Sequence, residues 1–148
     1  MDSSSGATTV IAGAAATVRT DGIGAAARFK NPYGIAITPD STTAYVVEYG
    51  SRSLRRINLA TKQVTTVLSG TLNEFACSVA ITPDGTTLIV GTCGTARLQA
   101  IDLTTGSYGQ TSFASINTEI DSRGLDITPD GSTLFVIDAG APKIRMVV

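Results

Sequence analysis

Histidine does not occur anywhere in the 148 residues, and neither does tryptophan. Without imidazole the chain lacks the commonest general base and the commonest metal ligand. Every Ser-His or Cys-His dyad is excluded with it. Acid–base chemistry would have to run on carboxylates and tyrosine. Charge is also sparse: 16% of residues are charged, and the formal net charge is −1. That leaves no basic footprint for nucleic acid or for an anionic membrane surface. No apolar run approaches about 18 residues, so no segment reads as a membrane-spanning helix. The first residues, Met1-Asp-Ser-Ser-Ser-Gly6, lack the basic and apolar regions of a secretion signal. A mature exported chain would look the same. Two cysteines separated by 16 residues do not make a zinc signature. Sustained helical periodicity is missing too, and the Ala-rich pieces at 14–16 and 24–27 read as small-residue connectors.

What the chain does have is a repeat. Ile-Thr-Pro-Asp stands at residues 37–40, 81–84 and 127–130, at spacings of 44 and 46 residues. A period of roughly 40–50 residues marks a propeller blade or a solenoid unit. Each motif follows a short apolar run: Gly34-Ile-Ala-Ile37, Ser78-Val-Ala-Ile81 or Gly124-Leu-Asp-Ile127. Each precedes another: Ala44-Tyr-Val-Val47, Leu88-Ile-Val-Gly91 or Leu134-Phe-Val-Ile137. Pro presets φ and the following Asp-Gly or Asp-Ser supplies the turn, so each motif predicts a β-hairpin. A third strand follows at 54–59, 98–103 and 144–148, aligned without a gap.

The fourth strand is complete only in the first unit, at 64–68, and is weaker in the second, around 107–113. The third unit stops at Val148, after its third strand. Its missing strand lies at the other end, where Thr8-Thr-Val-Ile-Ala-Gly13 copies Thr65-Thr-Val-Leu-Ser-Gly70. The expected organisation is one all-β domain of four-stranded antiparallel blades. Blade 1 covers about 33–70, blade 2 about 77–114 and blade 3 about 123–148, with residues 8–13 as the fourth strand of blade 3. A plain β-sandwich or a β-solenoid is the competing architecture.

The stretch Ile11-Ala-Gly13, Thr20-Asp-Gly-Ile-Gly-Ala-Ala-Ala-Arg-Phe29 and Asn31-Pro-Tyr-Gly-Ile-Ala-Ile-Thr-Pro-Asp40 resembles NHL-repeat β-propellers. So does its continuation through Tyr45-Val-Val-Glu-Tyr-Gly50 and Leu54-Arg-Arg-Ile57 to Gly70. The resemblance covers most of the chain and is strongest over 8–70. It implies a propeller usually of six blades, often extracellular or at the cell surface, that mostly serves as an interaction module. Some relatives of this architecture are lactonases or other hydrolases with a metal in the central channel. The departure is number. Propellers close with roughly four to eight blades, and three blades would splay about 120° apart. The expectation is therefore a homodimer forming a six-bladed ring, each N-terminal strand completing blade 3 of its partner. The other possibility is a piece of a longer propeller.

In such a ring, ligands meet the channel mouth at the start of each first strand and the end of each second. These positions are Tyr33, Cys77 and Arg123, then Glu48, Thr92 and Asp138, followed by Tyr49, Cys93 and Ala139. Tyr33, Glu48, Tyr49, Arg123 and Asp138 are the ligand-binding candidates. Glu48 and Asp138 could hold a hard cation, or could cap turns and pair with arginines. No catalytic set, cofactor or metal site is expected. The favoured function is a non-catalytic binding or structural scaffold. A lactonase-type metal hydrolase and an isolated or engineered half-propeller are the alternatives. Cys77 and Cys93 would face each other across a three-residue hairpin loop, allowing a disulfide and implying an oxidising compartment. Otherwise they are two small buried hydrophobes. Thr20-Asp-Gly-Ile-Gly24 lacks the strand–helix setting of a phosphate loop. Arg52, Arg55, Arg56 and Lys62 read as a solvated outer edge.

Overall fold

The computed structural model of the chain describes residues 6, 8–15, 18–72, 75–94, 98–105, 110–112 and 120–148. The repeated Ile-Thr-Pro-Asp motif makes the same turn three times, and its side chains explain why. The Thr38 hydroxyl donates to Asp40 Oδ1 at 2.6 Å, and the same oxygen accepts the Thr42 N–H at 3.0 Å. The Thr43 N–H in turn donates to Thr38 Oγ1 at 3.1 Å. Thr82, Asp84 and Thr86 repeat the pattern in the second unit, and Thr128, Asp130 and Ser132 in the third. The following backbone position takes a positive φ: 59° at Ser41, 74° at Gly85 and 73° at Gly131. Glycine adopts that conformation without steric cost, which accounts for Asp-Gly in two of the turns. The hydroxyl from Thr38, Thr82 or Thr128, and then the backbone amides, hold all three Asp carboxyls below the usual value of 3.8.

These turns join strands of three separate antiparallel sheets. The first sheet contains β1 (Gly22–Ile23), β2 (Pro32–Ile37), β3 (Thr43–Glu48), β4 (Ser53–Asn58) and β5 (Gln63–Leu68), in the order β1-β5-β4-β3-β2. The second runs β6 (Ala76–Ile81), β7 (Thr87–Thr92), β8 (Leu98–Asp102), β9 (Gln110–Ser112). The third runs β10 (Ser122–Ile127), β11 (Leu134–Asp138), β12 (Lys143–Val147), with no fourth strand among the described residues. A 3₁₀ turn, Gly24–Ala26, interrupts the connector before β2. Among the described residues no helix is long and apolar enough to cross a membrane. The chain is all-β, and its sheets are propeller blades.

The blades stack face to face because strand side chains alternate. Leu88 and Val90 of β7 turn toward blade 1, where they meet Tyr45, Val47 and Leu54. Ile89 between them turns toward blade 3 and packs with Leu134 and Val136. The second interface is close. Ser78 and Ser122 hydroxyls lie 2.7 Å apart, and a Cβ on Gly91 would overlap both. The remaining face of blade 1 (Ala44, Val46, Ile57 and Val64) is partly covered by Ala27, Phe29 and Ala12 of the N-terminal connector.

One expectation changes here, at Arg55. Residues 8–13, expected to complete blade 3 of a partner, pair with no strand among the described residues of their own chain. Gly13 donates to the Gly24 carbonyl at 3.1 Å, and Ala12 packs on the open face of blade 1. Arg55, read from sequence as part of a solvated edge, is fully buried. Its neighbour Arg56 points the other way and is exposed. The reason is that the connector folds over β4 and supplies Arg55 with partners that strand spacing alone does not reveal.

Candidate functional site

The three residues placed at the start of the first strands share a backbone device. Pairing of β2 with β3 shifts between Pro32 and Gly34, of β6 with β7 between Ala76 and Ser78, and of β10 with β11 between Ser122 and Gly124. Tyr33, Cys77 and Arg123 are thus the bulged residues. A bulge re-aims a side chain away from the alternation of its strand. Beyond each bulge the ladder continues for one more bond: Tyr49 N–H to Asn31 O, Cys93 N–H to Phe75 O and Ala139 N–H to Asp121 O, at 2.9–3.0 Å. All the candidate residues therefore lie at one end of their blades.

Three aromatic rings gather there. Tyr33 and Tyr49 have centroids 5.6 Å apart, and Tyr49 stacks on Phe75 at 4.6 Å. Tyr33 is 56% exposed and Phe75 41%. Arg123 pairs with Asp121 at 3.1 Å and remains open to solvent. Asp121 holds the guanidinium more firmly protonated, and Tyr33 adds to the effect. Residues from all three blades thus meet in one cluster: Tyr33 and Tyr49, Phe75, then Asp121 and Arg123. Phe75 and Asp121 escaped the sequence reading. They stand two residues before Cys77 and Arg123, at the position of Asn31 in blade 1, and three such different side chains disguise the equivalence.

Glu48 and Asp138 behave differently. Both carboxylates are buried, and both are engaged. Glu48 accepts the Lys30 N–H at 2.8 Å, the Ser51 hydroxyl at 2.6 Å and the Arg55 guanidinium at 3.0 Å. Arg55 also binds Asp21 at 2.9 Å and the carbonyls of Arg28 and Thr20, with the Phe29 ring 5.0 Å away. Asp138 accepts from Arg145 Nε at 2.7 Å and from the Asp121 N–H at 3.2 Å. Arg145 lowers the Asp138 pKa below the usual range, against the opposing effect of burial. The two acids sit in different blades with separate arginines. A cation would have to displace a guanidinium from either one, so these residues do not fit a metal centre. Among the described residues, no group of three or more Cys, Asp or Glu side chains is placed to hold an ion. Thr92, the equivalent in blade 2, is buried as well.

Cys77 and Cys93 form a disulfide, with Cα atoms 5.8 Å apart. The route differs from the expected three-residue loop. Thr82 and Thr87 close the hairpin around a four-residue loop, and beyond the bulge Ala76 pairs with Thr92 and the Cys93 N–H bonds to Phe75 O, so Cys77 reaches Cys93 as the bulged residue and not as its facing partner. The bond ties the two ends of the hairpin where blade 1 has Tyr33 and Tyr49.

No protein-family model and no curated protein matches this sequence. Solved structures do. A protein of unknown function from Bacteroides thetaiotaomicron superposes with a TM-score of 0.69 at 19% identity, over 93% of this chain and 36% of that one. A chain from a nidogen/laminin complex gives 0.67 at 18%, over 79% and 44%. A putative 6-phosphogluconolactonase from Bacteroides uniformis gives 0.66 at 15%, over 80% and 36%. The chain spans less than half the length of each of these proteins. What it shares with them is the fold, a run of antiparallel propeller blades.

Proposed function

We propose that the chain is a non-catalytic binding and structural scaffold of the NHL type, a half-propeller whose ring is completed by further blades. One observation carries this reading. The acids at this end of the blades, Glu48 and Asp138, are engaged by Arg55, Arg145 and backbone amides, while the same end offers solvent an aromatic shelf and one guanidinium. A shelf of Tyr33, Tyr49 and Phe75 beside Arg123 suits contact rather than proton transfer. The Cys77–Cys93 bond is at home in an oxidising compartment, which supports an extracellular or surface location.

The second reading, a metal-dependent hydrolase of lactonase type, draws its lactonase part from the putative 6-phosphogluconolactonases among the similar structures. The two are separated by titrating the protein with Ca²⁺, Mg²⁺, Mn²⁺ and Zn²⁺ while following thermal unfolding and hydrolysis of a sugar lactone. The scaffold reading expects no cation-dependent rise in Tm and no turnover above buffer. A cation that raises Tm and supports hydrolysis lost in Glu48→Gln would overturn it.

A further inference from the structure

The interfaces inside the chain specify what its two ends are missing. Ile35 in blade 1 corresponds by the repeat to Val79 in blade 2 and Leu125 in blade 3. Val79 is 7% exposed because blade 1 covers it, and Leu125 packs on blade 2, but Ile35 is 58% exposed. Ile37 is exposed in the same way, whereas its counterparts Ile81 and Ile127 are packed. The opposite end mirrors this. Tyr45 and Ile89, which receive the next blade, are 6% and 4% exposed, but their counterpart Phe135 is 41%. Leu54 and Leu98 are buried, while their counterpart Ile144 is 75% exposed. Phe135 faces Met146, and Ile137 faces Ile144, in the β11–β12 register, so these four make one apolar face. Among the described residues, therefore, no blade covers the outer face of blade 1 or of blade 3. The surface each needs is the surface the other leaves bare.

The strands give the same answer. Blade 3 ends at β12, whose outer edge has no strand beside it among the described residues. Residues 8–13 have the sequence of an outer strand, with Val10 and Ile11 matching Val67 and Leu68 of β5. Val67 and Leu68 pack against the interface between blades 1 and 2. Residues 11 and 12 already lie along the open face of blade 1, where a preceding blade would bring its outer strand. They border an apolar groove of about 330 Å³ with Phe29, Tyr33, Ile35 and Val46. A segment with the sequence of an outer strand thus sits beside one open face, and a blade with three strands presents the other.

We infer that blade 3 docks its Phe135, Ile137, Ile144 and Met146 face onto the Ile35 and Ile37 face of a second copy of this chain, whose residues 8–13 pair with β12. Applied twice about a two-fold axis, the contact closes a ring of six blades and leaves no open face or unpaired β12. The inference rests on the scaffold reading only in taking the blades as parts of a ring.

Light scattering on the unmodified chain at micromolar concentration is the first test. Twice the 15.2 kDa chain mass is expected. A monomer, as for a piece whose remaining blades belong to a longer chain, or an open series of larger species would overturn the inference. The second test uses geometry. Val47 and Val79 side chains both lie beside Gly34 at the blade 1–blade 2 interface. Their counterparts across the proposed contact are Ile137 and Ile35. The double variant Ile35→Cys, Ile137→Cys should therefore give a covalent dimer under mild oxidation, with the native disulfide retained on peptide mapping. No intermolecular link between these positions counts against it. Ile137→Asp, with unchanged circular dichroism, should run at monomer mass, and a dimer that survives that substitution contradicts the docking face. A metal-dependent hydrolase would defeat the scaffold reading whatever its mass. An inactive monomer would defeat only the second copy.

Discussion

Blades 1 and 3 carry the same buried acid–arginine pair and treat it differently. In blade 1, Glu48 and Arg55 have side chains 0% exposed, and the connector from Thr20 to Phe29 seals them. In blade 3, Asp138 is equally buried, but Arg145 remains 27% exposed and has no such cover among the described residues. The sequence positions are equivalent, with Gln99 standing between them in blade 2. The difference teaches that burial in a repeat protein belongs to the neighbour rather than to the repeat. A blade acquires its core from what lies on either side.

The largest expected effect comes from breaking the sealed pair. Arg55→Met leaves Glu48 buried against an apolar side chain, and removing one partner of a buried pair costs about 3–5 kcal/mol. Arg145→Met should cost clearly less, because water reaches that guanidinium. Denaturant unfolding of both variants checks the ranking, and equal losses would erase the distinction. The middle blade offers the next test. Closing a loop of this length stabilises by about 3 kcal/mol in the chain-entropy view, so Cys77→Ser with Cys93→Ser should lower stability by about 2–4 kcal/mol. Blade 1 holds the same place with Tyr33 and Tyr49 alone.

Glycines sharpen the contrast between covered and open faces. Gly91→Ala drives a methyl group into Ser78 and Ser122 between two blades, and overpacking of that kind costs about 1–3 kcal/mol. Within one chain Gly124→Ala meets the flexible end of the Ile137 side chain at 3.0 Å, where Gly91→Ala meets two buried hydroxyls. The Gly124→Ala loss in a thermal melt should be the smaller. The gentlest probe is acid. Asp40, Asp84, Asp130 and Asp138 all have folded pKa values below 3.8, so each binds its proton less readily folded than unfolded. Their contribution is fully present above that unfolded value and is lost as pH falls through the lowered ones. Stability should be insensitive to these groups near neutrality and fall below about pH 4. Asp138→Asn should flatten part of that fall, as followed by unfolding midpoints across pH.

Much of the fold was legible because its determinants are local. Thr, Pro and Asp at fixed spacing make their own turn, and alternating apolar residues make the flanking strands, so three hairpins follow from short windows. The bulges at Tyr33, Cys77 and Arg123 were not legible, since no residue type marks them. The disulfide consequently had a sound pairing with the wrong loop length behind it. Arg55 was misjudged for a related reason. Its partners Asp21 and the Thr20 and Arg28 carbonyls come from about 30 residues upstream, and long-range clamps leave no trace in strand periodicity. Glu48 and Asp138 were located at the right end of their strands, but whether a carboxylate there meets solvent or an arginine depends on that same long-range packing.

The central claim is that the bare edge of blade 3 is covered in the working molecule by residues 8–13. Amide hydrogen exchange of the unmodified chain in solution reads this directly. The account predicts slow exchange at the outward amides of β12 and within residues 8–13, comparable with the protection of β5 in blade 1. Fast exchange in both segments, with β3 and β7 protected, would contradict it.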